Sequence, residues 1–142
     1  MHPSVDLQFV AIEQDCPPSD LIILPGSKNV LGDLKQLIDK GWRKHIHKHL
    51  RYGGKVIGIC GGYQMLGHTL HDPDAIESNL SHADGFALLN TKTTLHPEKQ
   101  LKKASANIIN DKLSKASVQG YEIHCGVTLP LPSTQDLSLI HI

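Results

Sequence analysis

Residues 55–64 read Lys55-Val56-Ile57-Gly58-Ile59-Cys60-Gly61-Gly62-Tyr63-Gln64, and this stretch decides the fold. Its first half is short, largely apolar and β-branched, which is typical of a strand. Gly58, Cys60 and Gly62 then form the pattern glycine, any residue, nucleophile, any residue, glycine, which is typical of the sharp strand-to-helix turn called a nucleophile elbow. The pattern predicts that Cys60 stands exposed at the apex of this turn, with a helix following through Leu66–Leu70.

The glycines and the helix at this turn each have a physical reason. The tight turn would bring β-carbons at Gly58 and Gly62 into collision with the neighbouring chain. The helix points its free N–H groups toward the sulfur of Cys60, which favours thiolate over thiol. These features predict nucleophilic attack on a carbonyl. The alternative interpretation of the short pattern is a glycine-rich turn around an inert, buried cysteine.

A second glycine turn follows the preceding apolar run. Residues Leu21-Ile22-Ile23-Leu24 are continuously apolar, which predicts a central strand covered by helices on both faces. The run ends at the turn Pro25-Gly26-Ser27. Leu31, Leu34, Leu37 and Ile38 then recur at helical spacing, and a second helical stretch, Trp42–Tyr52, stops at a glycine pair.

The order strand, helices, strand predicts a parallel sheet with right-handed crossovers. In such a sheet both glycine turns lie at the carboxyl ends of strands, where ligands of open α/β sheets collect. Attack on an amide carbonyl creates an oxyanion, which backbone N–H donors must stabilise. We therefore expect the two turns to converge, with the N–H groups of Gly26 and Gly61 as donors.

The rest of the chain is less informative. Val5–Ile12 alternates loosely between apolar and polar residues, which predicts a strand. Beyond Asp72-Pro73 we expect short strands near Phe86–Thr93, Ala104–Ile109 and Val118–His124, arranged as hairpins appended to the sheet. Residues 129–142 contain two prolines and show no clear pattern.

Length and composition favour one domain that acts on a small molecule. The chain has 142 residues and a formal net charge of zero, so no electrostatic signature of a nucleic-acid or membrane partner is present. It contains no apolar run of about 18 residues and no secretion-signal pattern, so we expect a cytoplasmic protein. The three cysteines include no CxxC pair, which predicts reduced thiols.

Four ordered motifs together carry a resemblance to a known family: Leu24-Pro25-Gly26-Ser27-Lys28-Asn29, Asp33-Leu34, residues 58–67, and Gly120-Tyr121-Glu122-Ile123-His124. They resemble the glutamine amidotransferase domain of the cobyric acid synthase family, over nearly everything from Val5 to about Thr128. The resemblance implies an α/β class I glutamine amidotransferase-like (flavodoxin-like) fold: a mostly parallel sheet with flanking helices and appended hairpin strands.

The resemblance also implies roles for single residues. Cys60 resembles the nucleophile that forms a glutamyl thioester, and the backbones of Gly26 and Gly61 resemble the oxyanion hole. Gln64 resembles a residue that holds the substrate glutamine, and Glu122 and His124 lie in a family motif that we place, more weakly, on the substrate side. The ammonia released from glutamine would amidate carboxylates of a corrin in cobalamin biosynthesis.

The chain also departs from the family pattern. It contains no Gly-Thr-Tyr-x-His-Gly segment, which carries the family's histidine base, and no synthetase domain, in which ATP and Mg²⁺ would be used to amidate the corrin. We therefore expect residues 1–135 to be a partial amidotransferase domain that lacks a first strand and the base segment. Residues 136–142 are expected to be a tail outside the family, and His141 is not assigned as a base. A smaller departure is that Ala75 and Ser78 stand where the family has glycines.

Other hypotheses remain open. The chain is either an active enzyme domain or a folded, catalytically impaired fragment of one. Within the family, the glutaminases of cobyrinate a,c-diamide synthase and of the isoglutaminyl synthase pair share the elbow and are alternative assignments. A third hypothesis is a redox protein on a similar sheet, in which Cys60 would be oxidised rather than acylated. The string His45-x-His47-x-His49 is better explained as a solvated basic helix end than as a metal site, so we assign no metal and no cofactor to this domain. His124 and Cys125 are adjacent on a predicted strand, so they face opposite sides.

Overall fold

A computed structural model describes residues 4–107 and 117–132, which form an α/β fold. The described elements are, in chain order, β1 (Leu21–Leu24), α1 (Val30–Asp39), α2 (Trp42–Arg51), β2 (Lys55–Gly58), α3 (Gly61–Met65), β3 (Thr69–His71), β4 (His82–Asp84), β5 (Thr91–Asn107) and β6 (Ser117–Pro130). None of the helices described is long and apolar enough to cross a membrane. The expected tail, residues 136–142, lies outside the described residues.

Strands β1 and β2 form the parallel pair that the sequence predicts. They pair in register from Leu21 with Lys55 to Leu24 with Gly58. On one face of the pair, Ile22 and Leu24 are buried against the helices. The core cluster that joins these elements contains Ile22, Leu24, Val30, Leu31, Leu34, Leu37, Trp42, Ile46, Met65, Leu66, Leu70, Phe86 and Leu95. The parallel pairing brings the ends of β1 and β2 to the same edge of the sheet.

The opposite face of β1 and β2 differs from the prediction. The side chains of Leu21, Ile23, Ile57 and Ile59 are between 39% and 53% exposed. The prediction that helices cover both faces is therefore wrong for the part of the chain described. The continuous apolar run correctly indicated a strand with two apolar faces, but the described helices bury only the face of Ile22 and Leu24.

The other four strands form a mixed sheet in the order β4-β3-β5-β6. Strand β3 pairs parallel with β5 and antiparallel with β4, and β5 and β6 form a long antiparallel hairpin. A predicted hairpin is therefore present, as β5–β6, but it belongs to this second sheet rather than to the sheet of β1 and β2. Of the strand expected near Phe86–Thr93 only residues 91–93 are in a strand, and they belong with Ala104–Asn107 to one longer strand, β5. Ile108 and Ile109 lie outside the described residues.

Two local predictions are wrong. Val5–Ile12 forms no strand, because its residues have no sheet partner within the described chain and are mostly exposed. The helix after Cys60 ends at Met65 rather than Leu70, and Leu70 lies in β3. The chain turns at Gly67, where a β-carbon would lie 2.9 Å from the Thr91 carbonyl oxygen, so contact with β5 ends the helix.

The loop after β3 shows why the family has glycine at the position of Ala75. Ala75 has φ 49°, in the left-handed region that glycine adopts without steric cost. We expect Ala75→Gly to raise the free energy of unfolding by roughly 0.5–1 kcal/mol, because relief of strain exceeds the entropy lost with glycine. Urea denaturation measures the change. Ala106→Gly, on exposed strand β5, is the control and should instead be destabilising by about 0.5–1 kcal/mol; equal effects would contradict the assignment of strain to Ala75.

Candidate active site

Cys60 lies at the apex of the turn between β2 and α3. Its backbone has φ 52° and ψ −112°, a sparsely populated conformation for a residue with a β-carbon, and its side chain is exposed. Three backbone hydrogen bonds hold the turn: Ile59 N–H to Leu24 O at 2.9 Å, Gly62 N–H to Ile59 O at 2.9 Å, and Gln64 N–H to Cys60 O at 3.1 Å. The strained apex is therefore fixed to both β1 and α3.

The flanking glycines are required for the steric reason that the sequence suggests. A β-carbon at Gly58 would lie 2.6 Å from the carbonyl carbon and oxygen of Gly62. A β-carbon at Gly62 would lie 2.1 Å from the Leu24 carbonyl oxygen, on the neighbouring strand. Both contacts are with backbone atoms, which cannot move aside as a flexible side chain can. The turn can therefore form only with glycine at these two positions.

The glycine turn after β1 converges on Cys60, as predicted. A β-carbon at Gly26 would lie 3.6 Å from Cys60 Cβ, and one at Gly61 would lie 2.9 Å from the Ser27 nitrogen. Within the described chain, the backbone N–H groups of Gly26, Gly61 and Ser27 donate to no acceptor. The two turns that meet at Cys60 thus carry three backbone donors without an acceptor in the described chain. The sequence indicated Gly26 and Gly61 but not the N–H of Ser27.

Hydrogen bonds within the turn and the start of α1 hold Ser27 in place. Its hydroxyl donates to Asp33 Oδ2 at 2.6 Å and accepts from the Asn29 N–H at 2.9 Å. Asn29 caps α1, because its side-chain oxygen accepts from the Gly32 N–H at 3.2 Å. The motif Asp33-Leu34, which had no chemical role in the sequence analysis, thus fixes the turn through its carboxylate.

Gln64 lies on α3, one turn after Cys60, and only 8% of its surface is exposed. Strand β6 approaches it closely, since a β-carbon at Gly126 would lie 3.0 Å from Gln64 Nε2. Gly126 was not identified from the sequence, although a glycine so close after the Tyr121–His124 motif was the available signal. The strand therefore confines the Gln64 amide between α3 and the hairpin.

The structure places His124 and Glu122 on β6. His124 is half-buried and lies two residues before Gly126, at the point where the pairing of β6 with β5 shifts between Leu95 and Gln100. The prediction that His124 and Cys125 face opposite sides assumed regular alternation, whereas the pairing with β5 is irregular at Cys125. The backbone of Glu122 pairs with Lys102, and the side chain of Glu122 lies outside what the structure describes.

The three cysteines differ in their surroundings. Cys60 is exposed, whereas Cys16 and Cys125 are half-buried, and none forms a disulfide. Burial raises the pKa of the Cys16 thiol, which keeps it protonated and weakly nucleophilic at neutral pH. Burial likewise raises the pKa of the Tyr63 hydroxyl, next to Gln64 on α3. Of these groups, the thiol of Cys60 is the best placed to react with a solute.

Two of the three histidines of α2 contact main-chain oxygens. His47 Nε2 lies 3.0 Å from Phe86 O, and His49 Nε2 lies 2.9 Å from Lys55 O. Arg43 on the same helix donates to the carbonyls of Asp84 and Gly85. These side chains attach α2 to β2 and to the loop after β4. In the parts of the chain that are described, no cluster of three or more His, Cys, Asp or Glu side chains could hold a metal ion.

The loop after β3, for which no sequence pattern predicts a role, is connected to the site. Asp72 is buried, and its carboxylate accepts hydrogen bonds from the N–H groups of Ile76 at 2.8 Å, Glu77 at 3.0 Å and Ser78 at 3.3 Å. Glu77 Oε2 in turn accepts from the Val30 N–H at 2.8 Å. Val30 is the first residue of α1, so the loop contacts the helix that follows the Gly26 turn.

Comparisons with known proteins place the chain in a family. The family profile of the CobB/CobQ-like glutamine amidotransferase domain matches residues 1–141. A cobyric acid synthase of Photobacterium profundum is 49% identical over 139 residues, which cover 98% of this chain and 28% of that relative. The chain thus spans less than a third of the length of this relative. The class I amidotransferase-like α/β fold expected from the motifs is confirmed, and the chain belongs to the family of CobB/CobQ-like glutamine amidotransferase domains.

Proposed function

We propose that this domain hydrolyses glutamine through a thioester on Cys60 and supplies ammonia to a cobyric acid synthase reaction. The observation that carries the proposal is the convergence of the exposed Cys60 with the turn at Gly26. A β-carbon added at Gly26 would lie 3.6 Å from Cys60 Cβ. Nucleophilic cysteines and backbone oxyanion donors must be adjacent in acyl transfer. A buried structural cysteine needs neither feature.

The proposed chemistry has two balanced steps. The Cys60 thiolate attacks the side-chain amide carbon of glutamine, and the N–H groups of Gly26, Ser27 and Gly61 donate to the oxyanion. Water donates a proton to the leaving nitrogen, the carbon–nitrogen bond breaks, and ammonia departs. Water next attacks the thioester carbon, which releases glutamate and regenerates the thiol. Each oxyanion donor is worth about 3 kcal/mol of transition-state stabilisation.

Gln64, His124 and Glu122 are proposed to line the side of the site that holds the substrate glutamine. Gln64 is nearly buried against Gly126, so its amide has a fixed position from which to hydrogen-bond a polar ligand group. The half-buried His124 lies on the same strand, two residues before Gly126. In the whole enzyme, a synthetase part would use ATP and Mg²⁺ to activate the corrin carboxylate that receives the ammonia.

Covalent labelling tests the proposal. We expect a glutamine analogue with an electrophilic group in place of its amide to attach to Cys60 in the purified chain, as peptide mass spectrometry would show. Cys60→Ser should remain unlabelled, and excess glutamine should protect the wild-type protein. Folded wild-type chain that stays unlabelled, or that carries the label on Cys16 or Cys125, would refute the proposal. Labelling with glutamine turnover far below that of a full-length relative would favour the impaired-fragment hypothesis.

Gly26→Ala provides a second test in the same assay. The added methyl group would make an ordinary 3.6 Å contact with Cys60 Cβ, so the fold should tolerate it. It would crowd the space beside Cys60, and we expect labelling to slow by about tenfold or more, whereas complete loss of an oxyanion donor costs about 100-fold to 1000-fold. Unchanged labelling would remove the Gly26 turn from the site.

A further inference from the structure

Glu77, in the loop after β3, is joined to the first residue of α1 by a hydrogen bond of 2.8 Å. Its carboxylate accepts the Val30 N–H, one of the first-turn donors that a helix cannot satisfy within itself. A carboxylate is also favoured there by the helix dipole. Asp72 is only 1% exposed, and its carboxylate accepts hydrogen bonds from the N–H groups of residues 76–78. These bonds fix the position of Glu77.

Val30 connects Glu77 to the oxyanion donors. A β-carbon at Gly61 would lie 2.8 Å from Val30 Cγ2 and 2.9 Å from the Ser27 nitrogen. Val30 and Ser27 therefore both pack against Gly61, directly after Cys60. A displacement of the first residue of α1 would move the Ser27 turn relative to Cys60.

We propose that Glu77 is a positioning residue: by holding the Val30 N–H it sets the distance between the turn at Gly26 and Ser27 and the sulfur of Cys60. The inference rests on the proposed function, because it assumes that these N–H groups stabilise an oxyanion. Glu77 contacts neither the sulfur nor the substrate in this assignment. Its effect is on the rate of acylation rather than on the affinity for glutamine.

The test compares two reactions at one sulfur. The γ-(4-nitrophenyl) ester of glutamate acylates a cysteine through an oxyanion and releases coloured nitrophenolate without needing a proton, whereas iodoacetamide alkylates the sulfur without forming an oxyanion. For Glu77→Ala we expect the maximal acylation rate to fall tenfold or more, with the half-saturating ester concentration and the iodoacetamide rate within about twofold of wild type. Glu77→Gln keeps an oxygen acceptor for the Val30 N–H and should restore the acylation rate to within about threefold.

Asp74→Ala is the matched control, since Asp74 is an exposed carboxylate in the same loop, and it should behave as wild type. Equal acylation in wild type and Glu77→Ala would overturn the inference, as would parallel losses of acylation and alkylation. A raised half-saturating concentration that Glu77→Gln does not restore would assign Glu77 to substrate binding instead. If Glu77→Ala does not fold, Glu77→Asp replaces it, because its side chain is one methylene shorter and its carboxylate no longer reaches the Val30 N–H. The same acylation and alkylation rates are then measured. Wild-type chain without a burst of nitrophenolate would count against the proposed function itself.

Discussion

Gly62→Ala is expected to lower the free energy of unfolding by about 3 kcal/mol or to prevent folding. The added β-carbon would lie 2.1 Å from the carbonyl oxygen and 2.6 Å from the carbonyl carbon of Leu24. Overpacking usually costs about 1–3 kcal/mol, and here the cost should reach the upper limit because both partners are backbone. The strand pair β1–β2 must separate, or the turn at Cys60 must open.

Urea denaturation and the electrophilic glutamine analogue together measure this effect. Any Gly62→Ala protein that does fold should lose labelling of Cys60 almost completely, because the apex moves away from the Gly26 turn. Gly120→Ala is the matched control, since a β-carbon at Gly120 meets nothing within 4 Å. A Gly62→Ala protein as stable as Gly120→Ala would show that the turn is built differently.

Asp72→Ala should lower the free energy of unfolding by about 3 kcal/mol, an effect comparable to that of Gly62→Ala in a protein that still folds. Its carboxylate accepts three backbone N–H groups from a buried position. Each buried donor left without an acceptor costs about 1–3 kcal/mol, and water entering the loop recovers part of this. Since the loop carries Glu77, acylation of Cys60 should slow in any molecules that remain folded.

Thermal and urea unfolding measure how much the Asp72 carboxylate contributes to the free energy of unfolding. The variants compared are Asp72→Ala, Asp72→Asn and Asp74→Ala. Asparagine retains one acceptor oxygen, so Asp72→Asn should fall between wild type and alanine. Asp74→Ala, at an exposed position in the same loop, should change stability by no more than about 0.5 kcal/mol. If Asp72→Ala proves as mild as Asp74→Ala, the loop is held by contacts other than the carboxylate.

The sequence was sufficient to predict the β1–β2 unit and the geometry at Cys60. Continuous apolar runs, helical spacing and glycine turns are local signals, and parallel pairing follows from the order of the elements. The convergence of Gly26 with Cys60 could be inferred because both turns follow paired strands. The roles assigned to Cys60, Gly26, Gly61, Gln64, Glu122 and His124 stay predictions, since the geometry alone does not test them.

The remaining errors come from contacts between distant residues. The end of α3 depends on how closely Gly67 approaches Thr91, and no local pattern specifies that contact. The alternating residues of Val5–Ile12 were typical of a strand, but strands also need a partner. The link from Glu77 to Val30 joins residues 47 positions apart, so only the folded chain shows it. Ala75 was noticed as a departure from family glycines, and its positive φ supplied the reason.

The register of β1 and β2 has a consequence for length variation within the family. The last pair is Leu24 with Gly58, and Gly26 and Cys60 each follow two residues later. One residue inserted between Leu24 and Gly26, or between Gly58 and Cys60, would shift one of the two turns by about 3.3 Å relative to the other. That displacement is larger than acyl transfer tolerates. We therefore expect relatives to have no insertions or deletions directly after β1 and β2. Length changes should instead occur at the exposed turn around Tyr52 and Gly53, where added residues lower stability little.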